Sequence, residues 1–444
     1  MSEAGPWAAD AGGAAGSGAA SASAPRGMRR SLVATLLGNT LEWFDWQAYA
    51  IFSVFFSSQF FPKTDSVSAL LGTLAIFAVG FFFRPLGGLL IAGFTDRTGR
   101  RGGLVLSVLL MAAGSLLIAV SPTYAQVGAL APVLLLLARI LQGLSTGGEF
   151  AASASYLAEI APPGRRGFVT SFFYVSNVLG TLLATVLGSV LVSSLGPVSV
   201  REWGWRLPFV VGALLAVVAL YLRARLVEST AFTEQRTRPE RPTLRAFREH
   251  PGAVARVVGF TVGGTVAYYT FAVYLPSYAQ QVKGVPTSSA LWASIGAQVV
   301  LVLILPPLGA LSDRIGRRPL LIYFGVGFVV LSVPLFALMS ASGWSLFLVM
   351  TVGLVVFAGY GAVAPVAMAE LFPTSVRTAG IGLPYALTVA IFGGTAPYLV
   401  TSLSETGRGA VFPWYLAATC LVSLVVYATA RETRTVDLTA SGDR

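Results

Sequence analysis

Asp96-Arg97-Thr98-Gly99-Arg100-Arg101 is written a second time, with one change, as Asp313-Arg314-Ile315-Gly316-Arg317-Arg318, roughly two hundred residues later. Each copy follows one long apolar run and precedes another. A second phrase is doubled in the same order: Glu159-x-x-Pro162-x-x-x-Arg166 returns as Glu370-x-x-Pro373-x-x-x-Arg377. Two phrases repeated in order describe a chain built from two similar halves.

The solvent for those halves is lipid. The 444 residues are 55% hydrophobic and only 11% charged, with a mean hydropathy of +0.74. A soluble globular protein carries about 25% charged residues. A helix needs roughly 20 mostly apolar residues to span a bilayer. Twelve stretches qualify, near 31–60, 68–95, 103–121, 127–158, 168–194, 205–224, 252–281, 289–311, 319–340, 345–370, 379–402 and 411–430. They are long continuous runs rather than short alternating ones, which excludes a barrel. The expected fold is an all-α membrane protein with twelve transmembrane helices in two pseudo-symmetric six-helix bundles.

The net charge of +11 is distributed by side rather than by domain. Most of the 30 basic residues fall in both tails, in the Asp96 and Asp313 loops, at Arg165, Arg166 and Arg377, and across 223–256. The loops on the opposite side hold Lys63, Arg201, Arg206, Lys283 and Arg408. This asymmetry puts the Arg-rich side and both termini in the cytoplasm, in the plasma membrane. Residues 1–27 read as a disordered cytoplasmic tail, 28–224 as the first bundle, 225–251 as a cytoplasmic linker, 252–430 as the second bundle and 431–444 as a cytoplasmic tail. No soluble basic domain remains to bind nucleic acid. With no metal cluster, nucleotide loop or catalytic triad in the sequence, neither enzymatic activity nor a cofactor is expected. The expected partners are a small organic solute, protons and membrane lipid, and the expected state is a monomer.

Ionisable residues inside a bilayer are expensive, so each is a functional candidate. Glu42, Asp45, Arg84, Arg139 and Glu149 are such residues, and all lie in the first half. At about 1.5 Å of rise per residue, Glu42, Asp45, Arg84 and Glu149 fall near one plane, with Arg139 nearer the far face. Glu42 and Asp45, three apart, share a helix face. Two carboxylates in a poorly hydrated place resist ionising together, which is what a proton carrier requires. Arg84 is then the switch partner, and Glu149 a second proton site or an internal balance for its own helix. A static ion-pair network is the alternative. Arg139 can fork onto a substrate carboxylate, with Arg84 as a second clamp. Asn39, Tyr49, Gln142, Tyr268, Tyr274, Gln298 and Tyr385 complete the candidate lining. In the loops, Gly99 and Gly316 permit tight turns, while Asp96 and Asp313 can face a helix N-terminus. Arg97, Arg100, Arg101, Arg314, Arg317 and Arg318 can meet lipid phosphates or helix ends.

Asp-Arg-x-Gly-Arg-Arg between the second and third spans resembles the signature loop of the major facilitator superfamily. Gly38-Asn39-x-x-Glu42-Trp43-Phe44-Asp45, Arg84-Pro85-x-Gly87-Gly88, Arg139-x-x-Gln142-Gly143 with Gly147-Gly148-Glu149, and Arg201-Glu202-Trp203-Gly204-Trp205-Arg206 resemble its metabolite:proton symporter branch. One departure is Ala92, where that family places the glycine that Gly309 keeps in the second half. The resemblance implies alternating access, proton symport, and Glu159 with Arg166 and Glu370 with Arg377 as latch elements of the cytoplasmic gate. It also implies a dicarboxylate or keto acid such as α-ketoglutarate as solute. A zwitterionic osmolyte (proline or betaine) is the alternative, and a proton-antiport drug exporter or a transporter-like receptor are remoter ones.

Overall fold

A computed structural model describes residues 26–62, 66–98, 100–224 and 242–436. Seventeen helices suffice to follow the chain: α1 (Arg26–Phe60), α2 (Ser66–Thr98), α3 (Arg100–Val120), α4 (Leu130–Ser145), α5 (Glu149–Ile160), α6 (Arg166–Glu202), α7 (Leu207–Ala224), α8 (Pro242–Glu249), α9 (Pro251–Tyr268), α10 (Leu275–Lys283), α11 (Thr287–Ile315), α12 (Arg318–Ala337), α13 (Gly343–Gly361), α14 (Ala364–Ala369), α15 (Arg377–Thr388), α16 (Ala396–Glu405) and α17 (Val411–Thr429). Nine of the rods among the described residues are long and apolar enough to cross a membrane. Two further helices, Val105–Val120 and Gly204–Val218, are apolar but shorter. α1 is the more polar rod, because Asn39, Glu42, Asp45 and Gln47 are buried within it.

The duplication read from the loop phrases is visible in the packing. In the first half α1 lies on α6, α2 on α4, and α3 on α7. The second half repeats the scheme, with α9 on α15, α11 on α13, and α12 on α17. The halves meet where α6 runs along α11 and where α5 lies against α14 and α15.

Three rods are interrupted near the middle. α4 and α5 form one span broken at Thr146–Gly148. α9 and α10 are joined by a π-helical turn, Tyr269–Tyr274, and α15 and α16 by a second one at Val389–Gly393. Such π turns concentrate at functional sites. The apolar run 127–158, which by itself predicts one unbroken helix, is therefore divided. The break coincides with a backbone-on-backbone contact, since a Cβ at Gly88 of α2 would collide with the carbonyl of Gly147. Gly147 in turn lies against the backbone of Arg84 and Gly88.

The loop phrase can be followed in its second copy. Gly316 ends α11 at φ 102, a left-handed angle that a side chain would strain. Asp313 accepts hydrogen bonds from the amides of Gly167 (2.8 Å) and Phe168 (2.9 Å), at the start of α6 in the other half. A carboxylate there meets the positive end of the helix. Arg317 holds Asp313 at 2.8 Å and Glu370 at 3.3 Å. Arg377 crosses to Glu159 at 2.5 Å. Of the doubled Glu and Arg, Glu159 and Arg377 pair across the halves, whereas Glu370 takes Arg317 of its own half and Arg166 donates to the carbonyl of Val436 at 2.6 Å. Arg314 offers its carbonyl to Arg434, and Arg318 donates to the carbonyl of Ala428. In the first copy Gly99 lies outside the described residues, as do the side chains of Asp96, Arg97, Arg100 and Arg101.

Candidate functional site

A small cavity of about 30 Å³ lies between the halves, close to the break in the α4–α5 span. Asn39, Glu42 and Trp43 of α1, Arg84 of α2, Glu149 and Phe150 of α5 and Tyr385 of α15 are among its walls. Phe150 and Tyr385 stack in parallel at 3.6 Å, so an aromatic pair drawn from both halves closes one side. A second, smaller cavity has Glu42 and Glu149 in common with the first. The two acids on neighbouring helices thus border the same space.

The five intramembrane charges divide into two groups. Glu42, Arg84 and Glu149 border the cavity. Asp45 turns away from it, accepting a hydrogen bond from Ser115 of α3 and another from Gln142 Nε2 at 2.5 Å. Gln142 passes the contact on, because its Oε1 accepts from Arg139 Nη1 at 2.7 Å. Glu42 and Asp45 are therefore not a joint carboxylate pair facing Arg84, as the three-residue spacing predicts. Asp45 and Arg139 belong to one buried network, and Glu42 has Glu149 as its acidic neighbour. Spacing on α1 gives the face of a residue only to within a turn, and Ser115 and Gln142 decide which way Asp45 points.

Trp46 joins the groups. The guanidinium carbons of Arg84 and Arg139 each lie 3.9 Å from the centre of its ring. Arg84 also packs on Phe81 at 4.2 Å, and Arg139 on Tyr49 at 4.3 Å. Aromatic faces attract a desolvated cation, but they do not satisfy its N–H groups. Among the described residues Nε and Nη2 of both arginines find no hydrogen-bond partner. The Trp46 indole nitrogen is likewise without a partner among the described residues, while the Tyr269 hydroxyl lies beside Arg84 and Gln47 beside Tyr268 without good hydrogen-bond geometry. Buried donors left so are costly.

The remaining candidates are mostly tied into the scaffold. Asn39 donates to Ser176 Oγ at 2.7 Å and to the Phe173 carbonyl at 3.2 Å, pinning α1 to α6. Tyr49 donates to the Thr73 carbonyl at 2.9 Å. Tyr268 meets Thr181 across the halves at 3.2 Å and stands edge-on to Trp43. Gln298 bonds Ser294 at 2.7 Å and Thr185 of the other half at 3.5 Å. Tyr274 bonds Thr401 within the second half. Trp46, Gln47 and Ser115 are site residues that the sequence does not single out. A polar Gln in mid-span is a signal for Gln47. Nothing local distinguishes Trp46 from a packing aromatic.

Two repeated helical bundles enclosing a charged cavity define a membrane transporter. The chain belongs to the Major Facilitator Superfamily, whose model matches residues 35–397, and its relatives are transporters rather than enzymes. It is 40% identical over 398 residues to the alpha-ketoglutarate permease of Escherichia coli (strain K12), covering 89% of this chain and 92% of that protein. It is 34% identical to the citrate-proton symporter of Klebsiella pneumoniae, over 89% of this chain and 92% of that one. It is 30% identical to the proline/betaine transporter of Escherichia coli (strain K12), over 91% and 84% respectively. Among solved structures, a partially occluded inward-open xylose transporter XylE from E. coli superposes with a TM-score of 0.71 at 20% identity, covering 91% of this chain and 98% of that one. That likeness shows the fold.

Proposed function

We propose that this chain is a proton-coupled symporter that imports a small organic acid, a dicarboxylate or keto acid such as α-ketoglutarate, by alternating access. The observation that carries this reading is the pair of buried guanidiniums of Arg84 and Arg139 flanking Trp46, each with two nitrogens unpartnered among the described residues. Two such forks suit a solute with two carboxylates. The alpha-ketoglutarate permease and the citrate-proton symporter among the relatives support the same solute class. Glu42, Asp45 and Glu149 are the proposed proton carriers. The bundles 28–224 and 252–430 rock about the cavity, joined by the linker 225–251. The basic end, with Glu159–Arg377 and the Asp313 contacts, is the cytoplasmic gate, closed here. The distribution of Arg supports a cytoplasmic side for this end and for both termini, in the plasma membrane.

The test is uptake into proteoliposomes. Acid outside should drive accumulation of labelled α-ketoglutarate, with citrate or other dicarboxylates competing and glycine betaine and proline inert. Accumulation of betaine or proline alone would replace this reading with an osmolyte symporter, and acid-driven dye efflux with an exporter.

A further inference from the structure

Two guanidiniums share one ring. The guanidinium carbons of Arg84 and Arg139 each lie 3.9 Å from the centre of Trp46, so the two like charges stand at most twice that distance apart. All three side chains are buried. Like charges this close in a dry place repel each other. Acids answer them only at one remove or from the cavity wall: Asp45 reaches Arg139 through Gln142, and Glu42 and Glu149 border the cavity that Arg84 also borders. What the guanidiniums touch directly is aromatic. Arg84 lies on Trp46 and Phe81, Arg139 on Trp46 and Tyr49, and Trp46 is the ring common to both. Of the aromatic faces, that of indole attracts a desolvated cation most.

Stacking and hydrogen bonding use different parts of a guanidinium. A ring meets its flat face, while the donors lie in its plane. Nε and Nη2 of both arginines have no partner among the described residues. These neighbouring donors form one edge, of the kind that a carboxylate takes with two parallel bonds. Trp46 thus holds both cations and leaves both edges to the solute.

The same arrangement has no room for that solute. The cavity beside Arg84 measures about 30 Å³, space for a water or two rather than for an organic acid. The halves touch directly around it, with Phe150 stacked on Tyr385 at 3.6 Å and Tyr268 meeting Thr181 at 3.2 Å. A carrier whose halves rock about a central site passes through such a collapsed centre on its unloaded leg. On that leg no solute carboxylate is at hand to neutralise the two arginines.

We propose that Trp46 is a positioning residue for the return of the unloaded carrier: its ring holds Arg84 and Arg139 together in the collapsed centre and takes there the part that the solute's carboxylates take on the loaded leg. The proposal rests on the organic-acid symport reading above. It divides the cycle in two. Steps with solute bound depend on the free edges of the arginines, whereas the return depends on the ring.

The test uses the full-length protein in proteoliposomes with labelled α-ketoglutarate, followed in two ways. Net uptake driven by acid outside requires the unloaded return, while exchange against α-ketoglutarate trapped inside does not. Trp46→Leu keeps an apolar side chain and removes the π face. It should lower net uptake about tenfold more than it lowers exchange, through loss of the cation–π contacts on the unloaded leg. Trp46→Phe, which offers a weaker face, should fall between Leu and the wild type. Net uptake and exchange reduced by one common factor, or neither reduced, would overturn the proposal and leave organic-acid symport standing. A wild type that neither exchanges nor accumulates any carboxylate would overturn both. Should Trp46→Leu fail to fold, tryptophans bearing successively more fluorine, inserted at position 46 alone, keep the shape of the ring while withdrawing electrons from its face. The ratio of net uptake to exchange should then fall with each added fluorine, and a constant ratio would remove Trp46 from the return step.

Discussion

Asp45 reaches Arg139 only through Gln142, whose amide nitrogen donates to the carboxylate at 2.5 Å while its oxygen accepts from the guanidinium at 2.7 Å. An acid and a base are thus held in one buried chain without touching. Replacing Gln142 by Leu would leave buried Asp45 with Ser115 alone and the buried Arg139 guanidinium without a hydrogen-bond partner among the described residues. The expected loss is about 2–4 kcal/mol, from an unsatisfied donor and an unpaired buried charge. Ser115→Ala, which removes one of two donors to Asp45, should cost about 1 kcal/mol. Thermal unfolding in detergent ranks them, and equal small losses would mean the chain is not formed.

Asp45→Asn is a sharper probe of coupling than of stability. The amide keeps the size of the side chain and an oxygen for Gln142 or Ser115, so the fold should survive with a loss under about 1.5 kcal/mol. If Asp45 carries the driving proton, accumulation against a gradient should fall to equilibration, while exchange of solute across the membrane continues. Accumulation at the wild-type ratio would remove Asp45 from the coupling machinery.

The glycines of α2 and the α4–α5 break make opposite expectations for similar substitutions. A Cβ at Gly88 would overlap the Gly147 carbonyl, and no flexible side chain is there to yield. Gly88→Ala should push α2 from α4 and cost about 1–3 kcal/mol or more, as overpacking does. A methyl added at Gly148 would meet nothing within 4 Å, and φ there is −174, outside the left-handed region that favours glycine. Gly148→Ala should therefore leave the melting temperature where it is. Melting curves of the two variants check this directly, and a Gly148→Ala loss as large as that of Gly88→Ala would contradict the geometry.

Closure at the basic end depends on Asp313 and Arg377. Asp313 receives two amides of α6 and the Arg317 guanidinium, and Arg377, itself buried, holds Glu159 of the other half. Charge-assisted bonds of this kind contribute about 1.5–3 kcal/mol each, so losing one shifts the open fraction at this end by about tenfold or more. A cysteine at Gly382, which borders the cavity, introduced with Cys420 replaced by Ser, reports that fraction through its labelling rate. Asp313→Asn or Arg377→Ala should raise the rate at least tenfold, and an unchanged rate would show that these contacts do not hold the gate.

The fold was legible because lipid imposes long apolar runs, and because duplicated loops print the same phrase twice. The site was legible in kind, since a charge such as Arg139 or Glu149 in mid-span has few structural excuses. Its partnerships were not. Which acid faces Glu42 depends on the rotation of α1 against α3 and α4, and that rotation is set by Ser115 and Gln142 far along the chain. The break before Glu149 was hidden for a related reason. Gly147 and Gly148 are ordinary in a membrane helix, and the close packing of the α2 backbone on Gly147 is visible only once the helices are assembled. Trp46 shows the same limit, because its role comes from two arginines on other helices.

The segment after α17 gives the gate a pH dependence whose sign can be worked out. Burial pushes the Glu432 carboxyl upward, but the amides of Arg317, Arg318, Arg434 and Thr433 outweigh it, and the net shift is downward. A carboxylate lowered in the folded state contributes stability that is fully present above its ordinary range and is lost as pH falls through the lowered value. Thr433 ties this segment to Glu370 by donating to it at 2.6 Å. Docking of this segment should therefore loosen in acid as Glu432 takes its proton. Hydrogen exchange of the Arg318, Thr433 and Arg434 amides, corrected for intrinsic rates, measures it. The wild type should lose protection as pH drops below about 4, where an ordinary Glu protonates. Glu432→Gln should already be unprotected at pH 7. Protection in Glu432→Gln equal to the wild type at pH 7 would mean that the Glu432 carboxylate does not hold the segment in place.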